Sequence, residues 1–371
     1  MKIKGTGNIL LDAVCSLGLF ESLFRIKPTI QFKLMIGSLN PIEVIGLHRD
    51  DLSFLKNAFK KIYEEERLKL ALSSKINIGG GKGSNPFCPP TEYFRKLMGE
   101  IIDEELYNLE SGFILEKADR NKAKSKKLVL LPMSLMPIYG KGLNIWDAKP
   151  SPYSMYSNRL LVLTYMIGLA YYSITYESEK ADLREKFYVI LAPPFNQEIG
   201  EEYLMGLRRI TNIFMNYTEE KEIKYLFSNV PSKVLPLLIF STLDISTLST
   251  FLKYPPQLIT FSIEKRRSGG EAVRKFELIS STATIHFLYC MGEEIYPFKI
   301  FIRELLAQTQ INELSSLAID ALINMANAIQ YKNSNKLLLA YYVANLLKEK
   351  SDRRIKIPNQ ECLVRAIEII S

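Results

Sequence analysis

The residues best placed for chemistry lie in Ile78-Gly-Gly-Gly-Lys-Gly-Ser-Asn-Pro-Phe-Cys-Pro-Pro90, a glycine-rich run with a single lysine. Backbone without a Cβ can come close to a phosphate. Gly79, Gly80, Gly81 and Gly83 offer open N–H donors, Lys82 a cation, and Ser84 and Asn85 short polar side chains. That set suits a nucleic-acid backbone or another bound anion. No acid–base constellation accompanies it, so the chemistry it favours is binding.

Three stretches concentrate positive charge. Lys117, Arg120, Lys122, Lys124, Lys126 and Lys127 against Asp119 give +5 over residues 117–127. Lys265, Arg266, Arg267, Arg274 and Lys275 against Glu271 give +4, and Lys348, Lys350, Arg353, Arg354 and Lys356 against Glu349 and Asp352 give +3. Each flanks a predicted strand or helix end, where a loop can present several cations to phosphates while the scaffold holds it. Solvated loops are the alternative reading of each. Tyr139-Gly-Lys141-Gly142, followed by Trp146 and bounded by Pro132, Pro137, Pro150 and Pro152, could stack a base and hold its phosphate. A lid or an interface loop is the alternative there.

Tests for enzymes mostly fail. A P-loop needs Gly-Lys-Ser/Thr at its end, whereas Gly83 follows Lys82. Gly79-x-Gly81-x-Gly83 is one residue short of the dinucleotide-binding spacing, and the preceding Ser73-Ser-Lys-Ile-Asn-Ile78 reads as a weak strand at best. The histidines, His48 and His286, have no metal-ligand spacing, and Cys15, Cys88, Cys290 and Cys362 contain no Cys-x-x-Cys pair and read as core residues. No catalytic residue, metal or cofactor is therefore expected. A carboxylate-dependent metal nuclease stays open as an alternative, because Asp147-Ala-Lys149 and Glu222-Ile-Lys224 match half of such a site. A scaffold that binds only protein is the other.

The elements that must position these residues can be read from composition and period. At 371 residues and 47% hydrophobic content the chain can bury a large core in two or three domains. A net charge of +8 and a pI near 9.0 favour a polyanionic partner. The start, Met-Lys-Ile-Lys-Gly-Thr-Gly-Asn, lacks a secretory pattern, which predicts a cytoplasmic protein. Leu160 to Tyr176 approaches a membrane span in length. Its polar interior and charged flanks predict a helix buried in protein.

Asn8 to Phe24 reads as a helix, and Ile30, Phe32, Leu34 and Ile36 alternate as in a half-buried strand. Asp50 or Asp51 can cap a helix through Phe54, Phe59 and Tyr63 toward Leu72. A second helix is predicted from Thr91, ending at Gly112. Leu128–Pro132 and Phe187–Leu191 read as buried strands. From Asn196 helices dominate: 201–217, 233–252, 295–306, 311–329, 335–348 and 360–370. Leu258–Ile263 and Val273–Ile279 bracket a Gly-Gly turn as a basic-tipped hairpin. The fold class is α+β, with a mixed α/β half over 1–195 and a mostly helical half over 196–371 that carries the hairpin.

The opening Gly5-Thr-Gly-Asn-Ile-Leu-Leu-Asp-Ala-Val-Cys-Ser-Leu-Gly-Leu19 resembles the start of the large subunits of type I CRISPR surveillance complexes, and the length suits the type I-A version. The resemblance implies a non-catalytic subunit, archaeal in its Lys/Ile-rich composition. It would read the short motif beside a DNA target and stabilise the opened duplex while guide RNA reads sequence. Implied partners are double-stranded DNA, displaced single-stranded DNA, the guide RNA complex, the backbone and small subunits, and a helicase-nuclease, with no membrane. No contact residue carries over. On the residues themselves, the 79–85 loop would meet the duplex, and the 265–275 hairpin or the 117–127 loop the displaced strand.

Overall fold

The computed structural model describes the chain outside residues 36–39, 76–88, 102, 108, 119–122, 124–125, 131–153, 181–182, 218–229, 267–270, 310–313 and 352–354. It describes backbone alone at 74, 103–104, 117–118, 130, 154–155, 177–180, 183–184, 215–217, 264–266 and 271–275. The fold is α+β, with a mostly helical C-terminal part. Its helices are α1 (Ile9–Phe24), α2 (Leu55–Glu64), α3 (Glu66–Lys75), α4 (Pro90–Glu100), α5 (Asp103–Tyr107), α6 (Arg159–Tyr172) and α7 (Glu201–Tyr217). There follow α8 (Leu235–Phe240), α9 (Ile245–Thr250), α10 (Thr282–Cys290), α11 (Ile295–Gln308), α12 (Ser315–Tyr331), α13 (Ser334–Lys350) and α14 (Gln360–Ile370).

The strands are β1 (Lys2–Ile3), β2 (Gln31–Leu34), β3 (Ile42–Ile45), β4 (Leu115–Ala118), β5 (Val129–Leu130), β6 (Ser154–Ser157), β7 (Ser173–Lys180), β8 (Leu183–Ala192), β9 (Glu198–Ile199), β10 (Gln257–Arg266) and β11 (Glu271–Ser280). They form sheets ordered β1-β3-β2-β9, β11-β10-β8-β7 and β4-β6-β5. The chain divides into two compact units. One comprises Met1–Thr175, Glu179–Arg208 and Phe261–Phe276; the other comprises Tyr176–Ser178, Arg209–Thr260 and Glu277–Ser371.

In the first unit α1 and α6 are buried on every side from Leu10 to Phe24 and from Leu160 to Tyr172. Helices apolar all round behave this way inside protein as they would in lipid. Among the described residues no helix is long and apolar enough to cross a membrane. The two helices touch through backbone. A Cβ at Gly18 would lie 1.8 Å from the Thr164 carbonyl oxygen, and one at Gly168 would lie 2.1 Å from that of Val14. Only glycine fits at either point.

The opening motif fixes the start of α1. Asn8 caps it, its Oδ1 accepting from the N–H groups of Leu10 and Leu11 at 3.1 and 3.2 Å. The buried Asp12 carboxylate gathers the preceding loop, accepting from Thr6 N and Oγ1 and from Gly7 N at 2.7, 2.9 and 3.2 Å. Burial raises the Asp12 pKa, and these donors oppose that rise.

At the far end of α1 a charge network centres on the buried Glu21. Glu21 accepts from Arg25 at 2.9 Å, Arg208 at 3.0 Å and the Tyr172 hydroxyl at 2.5 Å. Glu65 accepts from the Tyr171 hydroxyl at 2.5 Å and pairs with Arg25 at 2.7 Å. The guanidinium carbons of Arg67 and Arg208 lie 4.8 and 5.0 Å from the Tyr171 ring centroid. Burial, and then Arg208, pull the Arg67 pKa down.

Several predicted elements are broken where tertiary contacts outweigh local periodicity. The helix expected through Leu72 starts as a 3-10 turn at Arg49–Phe54, with the Asp51 carboxylate accepting from His48 N at 2.9 Å. It then stops at Glu65, whose extended backbone separates α2 from α3. Ser73 to Lys75, read as a weak strand, close α3. The helix expected to reach Gly112 ends at Glu100. Gly112 instead has φ +70, and a Cβ there would lie 1.8 Å from the Lys4 carbonyl oxygen. The run 233–252 splits into a 3-10 turn, α8 and α9. The apolar run to Tyr176 leaves the helix at Ser173 to start β7. Cys290, expected in the core, is exposed.

Strand β2 alternates as predicted over Ile30, Phe32 and Leu34, all buried, and pairs antiparallel with β3 and β9. In the second unit α10 to α14 pack around Phe287 and Phe298, with ring centroids 5.3 Å apart, and around Phe301 and Tyr341, 5.0 Å apart.

The α1–α6 contact makes a direct prediction. Gly18→Ala should lose about 1–3 kcal/mol in urea unfolding, because a methyl there meets fixed backbone. Gly99→Ala, with nothing within 4 Å of its Cβ position, should be neutral or gain up to about 1 kcal/mol from helix propensity. A Gly18→Ala protein as stable as wild type would show that the helices do not meet at their backbones.

Candidate nucleic-acid interface

The ends of α6 hold Lys75, the last described residue before the glycine-rich run, and Lys127 of the basic turn. At its C-terminal end Lys75, the last residue of α3, is 2% exposed. Its Nζ donates to the carbonyls of Leu169, Ala170 and Ser173 at 3.5, 2.8 and 2.5 Å. The first two are among the last four carbonyls of α6, which have no helical N–H partner and carry the negative end of the helix dipole, and the third belongs to the first residue of β7. The Tyr188 hydroxyl donates to the Lys75 carbonyl at 2.8 Å. Lys75 thus pins the end of α3, three residues before the glycine-rich run begins at Ile78. Burial, then the nearby Arg67 and Lys186, pull its ammonium down to about 7. The carbonyl oxygens match the three hydrogens of an ammonium and oppose that pull.

At the N-terminal end Asn158 and Arg159 hold the small sheet and the basic turn. The Asn158 Oδ1 accepts from Leu161 N at 3.3 Å and Ile114 N at 3.2 Å, while its Nδ2 donates to the Gly112 carbonyl at 2.9 Å. Arg159 Nη1 donates to the Lys127 carbonyl at 2.9 Å and to Glu105 at 3.1 Å, and its Nε lies 3.6 Å from Glu100. Burial raises the Glu105 pKa against the pull of Arg159. Lys127 has φ +55, a left-handed conformation that an L side chain holds at a cost of roughly 1–2 kcal/mol. The turn closes with Leu128 N donating to the Ala123 carbonyl at 2.9 Å and leads into β5, which pairs antiparallel with β6.

The lysines of this turn are partly neutralised from within the chain. Lys126 Nζ reaches both oxygens of Glu116 at 2.7 Å, one residue outside the counted cluster. Lys127 acts electrostatically on Glu105. Both lysines remain exposed, and an ion pair so open to water is weak enough for a phosphate to displace.

Among the remaining candidates, Lys82, Ser84, Asn85, Lys122, Lys124, Lys141 and Arg267 lie outside the described residues, as do Tyr139, Trp146, Asp147 and Glu222. The backbone places Lys265 and Arg266 at the end of β10 and Arg274 in β11, on either side of residues 267–270, which lie outside the described residues. The base of that hairpin is fastened to β8. Ser262 Oγ donates to Glu185 at 2.7 Å, and Phe261 stacks on Tyr188 with centroids 4.7 Å apart. In the third cluster Lys348 and Lys350 are exposed at the end of α13. His48 and His286 are exposed. Among the described residues no three His, Cys, Asp or Glu side chains are grouped to hold a metal.

Neither Lys75 nor Arg159 stood out as a functional residue in the sequence. Lys75 follows Ser73 and Ser74, and Arg159 merely precedes an apolar run, so neither carries a local mark.

Lys75 makes stability depend on pH with a definite sign. An unfolded lysine titrates near 10.4. With the folded value near 7, the unfolded chain binds the extra proton between those limits, so this group adds stability as pH rises from 7. The stability of wild type relative to Lys75→Met should increase between pH 7 and 9.5 in urea titrations. A constant difference would mean that the carbonyls keep the buried ammonium charged throughout.

The sequence profile described as CRISPR-associated protein (Cas_Csa4) matches residues 45–359. The opening motif that carries the resemblance noted above lies before that span. Among curated proteins none matches the chain. A match over so much of the sequence decides the family: the chain belongs to the CRISPR-associated Csa4 family, which implies a role in CRISPR defence.

Proposed function

We propose that this protein is the non-catalytic large subunit of a type I-A CRISPR surveillance complex, binding nucleic acid through loops rooted on α6. Membership of the Csa4 family carries the reading. The residues supply the means. Lys75 anchors the entry to the glycine-rich run and Arg159 anchors the Lys126–Lys127 turn, so two basic loops share one buried helix as their support. Loops held this way lose less entropy on binding than free ones.

In this role the 79–85 run, with Lys82, Ser84 and Asn85, approaches the duplex beside the target and reads the adjacent motif. The turn at 117–127 and the hairpin bearing Lys265, Arg266, Arg267 and Arg274 hold the displaced strand. Guide pairing reads the rest of the sequence. Partners are the guide RNA complex with its backbone and small subunits, and a helicase-nuclease that performs the cutting.

Fluorescence anisotropy across a salt series tests this. Replacing Lys126 and Lys127 together by Ala should weaken binding to all DNA sequences and lower the slope of log K against log salt by about 2. Lys82→Ala should weaken binding to a motif-bearing duplex more than to a motif-free one. Equal loss on both would contradict motif reading, and magnesium-dependent cleavage by the purified chain would contradict the non-catalytic role.

A further inference from the structure

The small sheet β4-β6-β5 turns one face to the core and the other outward. On its central strand Ser157 is fully buried, and the residue before it, Tyr156, lies on the opposite face and is half-buried. Tyr156 is paired with Glu116 of β4 on one side and with Leu130 of β5 on the other. Side chains directly opposite in an antiparallel pair have Cβ atoms roughly 4.5–5.5 Å apart, so Tyr156 and Glu116 are neighbours on the outward face. Lys126 completes the group, its Nζ 2.7 Å from both Glu116 oxygens.

Two carboxylate oxygens on one ammonium have the arrangement that two phosphate oxygens take on the same cation. The pair is open to water, with Lys126 48% and Glu116 25% exposed, so exchanging the carboxylate for a phosphate costs little. A ring beside a cation is the combination that binds single strands, the ring stacking a base and the cation holding its phosphate. We propose that this face binds single-stranded nucleic acid, a base stacking on Tyr156 while its phosphate displaces Glu116 from Lys126. Glu116 is then a built-in competitor that occupies the lysine until a strand arrives. This inference rests on the reading of the 117–127 turn given above. It adds the aromatic side chain that the turn lacks and the group that restrains its lysine.

Two other occupants fit less well. In a duplex the bases are already stacked on one another, and freeing one for Tyr156 costs unpairing. An acidic peptide matches the lysine but not the ring.

The test is fluorescence anisotropy of the full chain at low salt with short labelled oligothymidylate, oligouridylate, an abasic deoxyribose-phosphate strand and poly-glutamate. Glu116→Gln should tighten binding to the base-bearing strands about two- to fivefold, the worth of an exposed ion pair. A gain of affinity is an outcome that misfolding cannot produce. Tyr156→Ala should weaken binding to the same strands about tenfold and leave the abasic strand unchanged, while Tyr156→Phe, which keeps the ring, should bind as wild type does. The tighter-bound of oligothymidylate and oligouridylate names displaced DNA or guide RNA as the source of the strand. Unchanged affinity in Glu116→Gln, equal loss on base-bearing and abasic strands in Tyr156→Ala, or poly-glutamate bound as tightly as the oligonucleotides would overturn this inference alone. Binding of no strand, by wild type or by Glu116→Gln, would overturn it together with the proposed function.

Discussion

The backbone contact between α1 and α6 is the constraint on which the rest of the first unit depends. Gly18 faces the Thr164 carbonyl and Gly168 faces that of Val14, so the helix axes lie as close as two backbones allow. Close approach of this kind is rigid, because the groups in contact are peptide units with no rotamers to change. Each end of α6 is then a fixed point. Asn158 and Arg159 at one end and the carbonyls held by Lys75 at the other are where the basic loops begin or return. Loops that bind a charged polymer gain from such fixed roots, since their cations are held near the positions the phosphates will occupy.

The charged network at the end of α1 has a related effect. Burying Glu21 is expensive unless every lone pair has a donor, and Arg25, Arg208 and Tyr172 supply them. Those donors come from three separate stretches of chain. The network therefore adds little net energy over an apolar core of the same volume, but it allows few alternative arrangements of α1, α6 and α7.

Elements whose stability comes from one continuous apolar face were legible in the sequence. Helices α7 and α14 begin and end where their period places them, and α1 fills the predicted stretch from Asn8 to Phe24. The breaks were not legible, because distant residues cause them. Glu65 interrupts α2 and α3 to meet Arg25 and Tyr171. The site was less legible still. Lys75 finds its carbonyl partners 94 to 98 residues away. Arg159 reaches back 32 residues to the Lys127 carbonyl and 54 to Glu105. Glycine and lysine content marked the loops, while nothing local marked the side chains that root them. Counting charge within one segment also missed Glu116, which Lys126 reaches.

Hydrogen–deuterium exchange of the full chain, with and without a motif-bearing duplex, tests the central claim most directly. If basic loops rooted on α6 bind nucleic acid, backbone amides at 79–85 and 119–127 become protected on adding DNA, while α13 exchanges as before. Protection absent from both loops, or confined to other parts of the chain, would contradict the account.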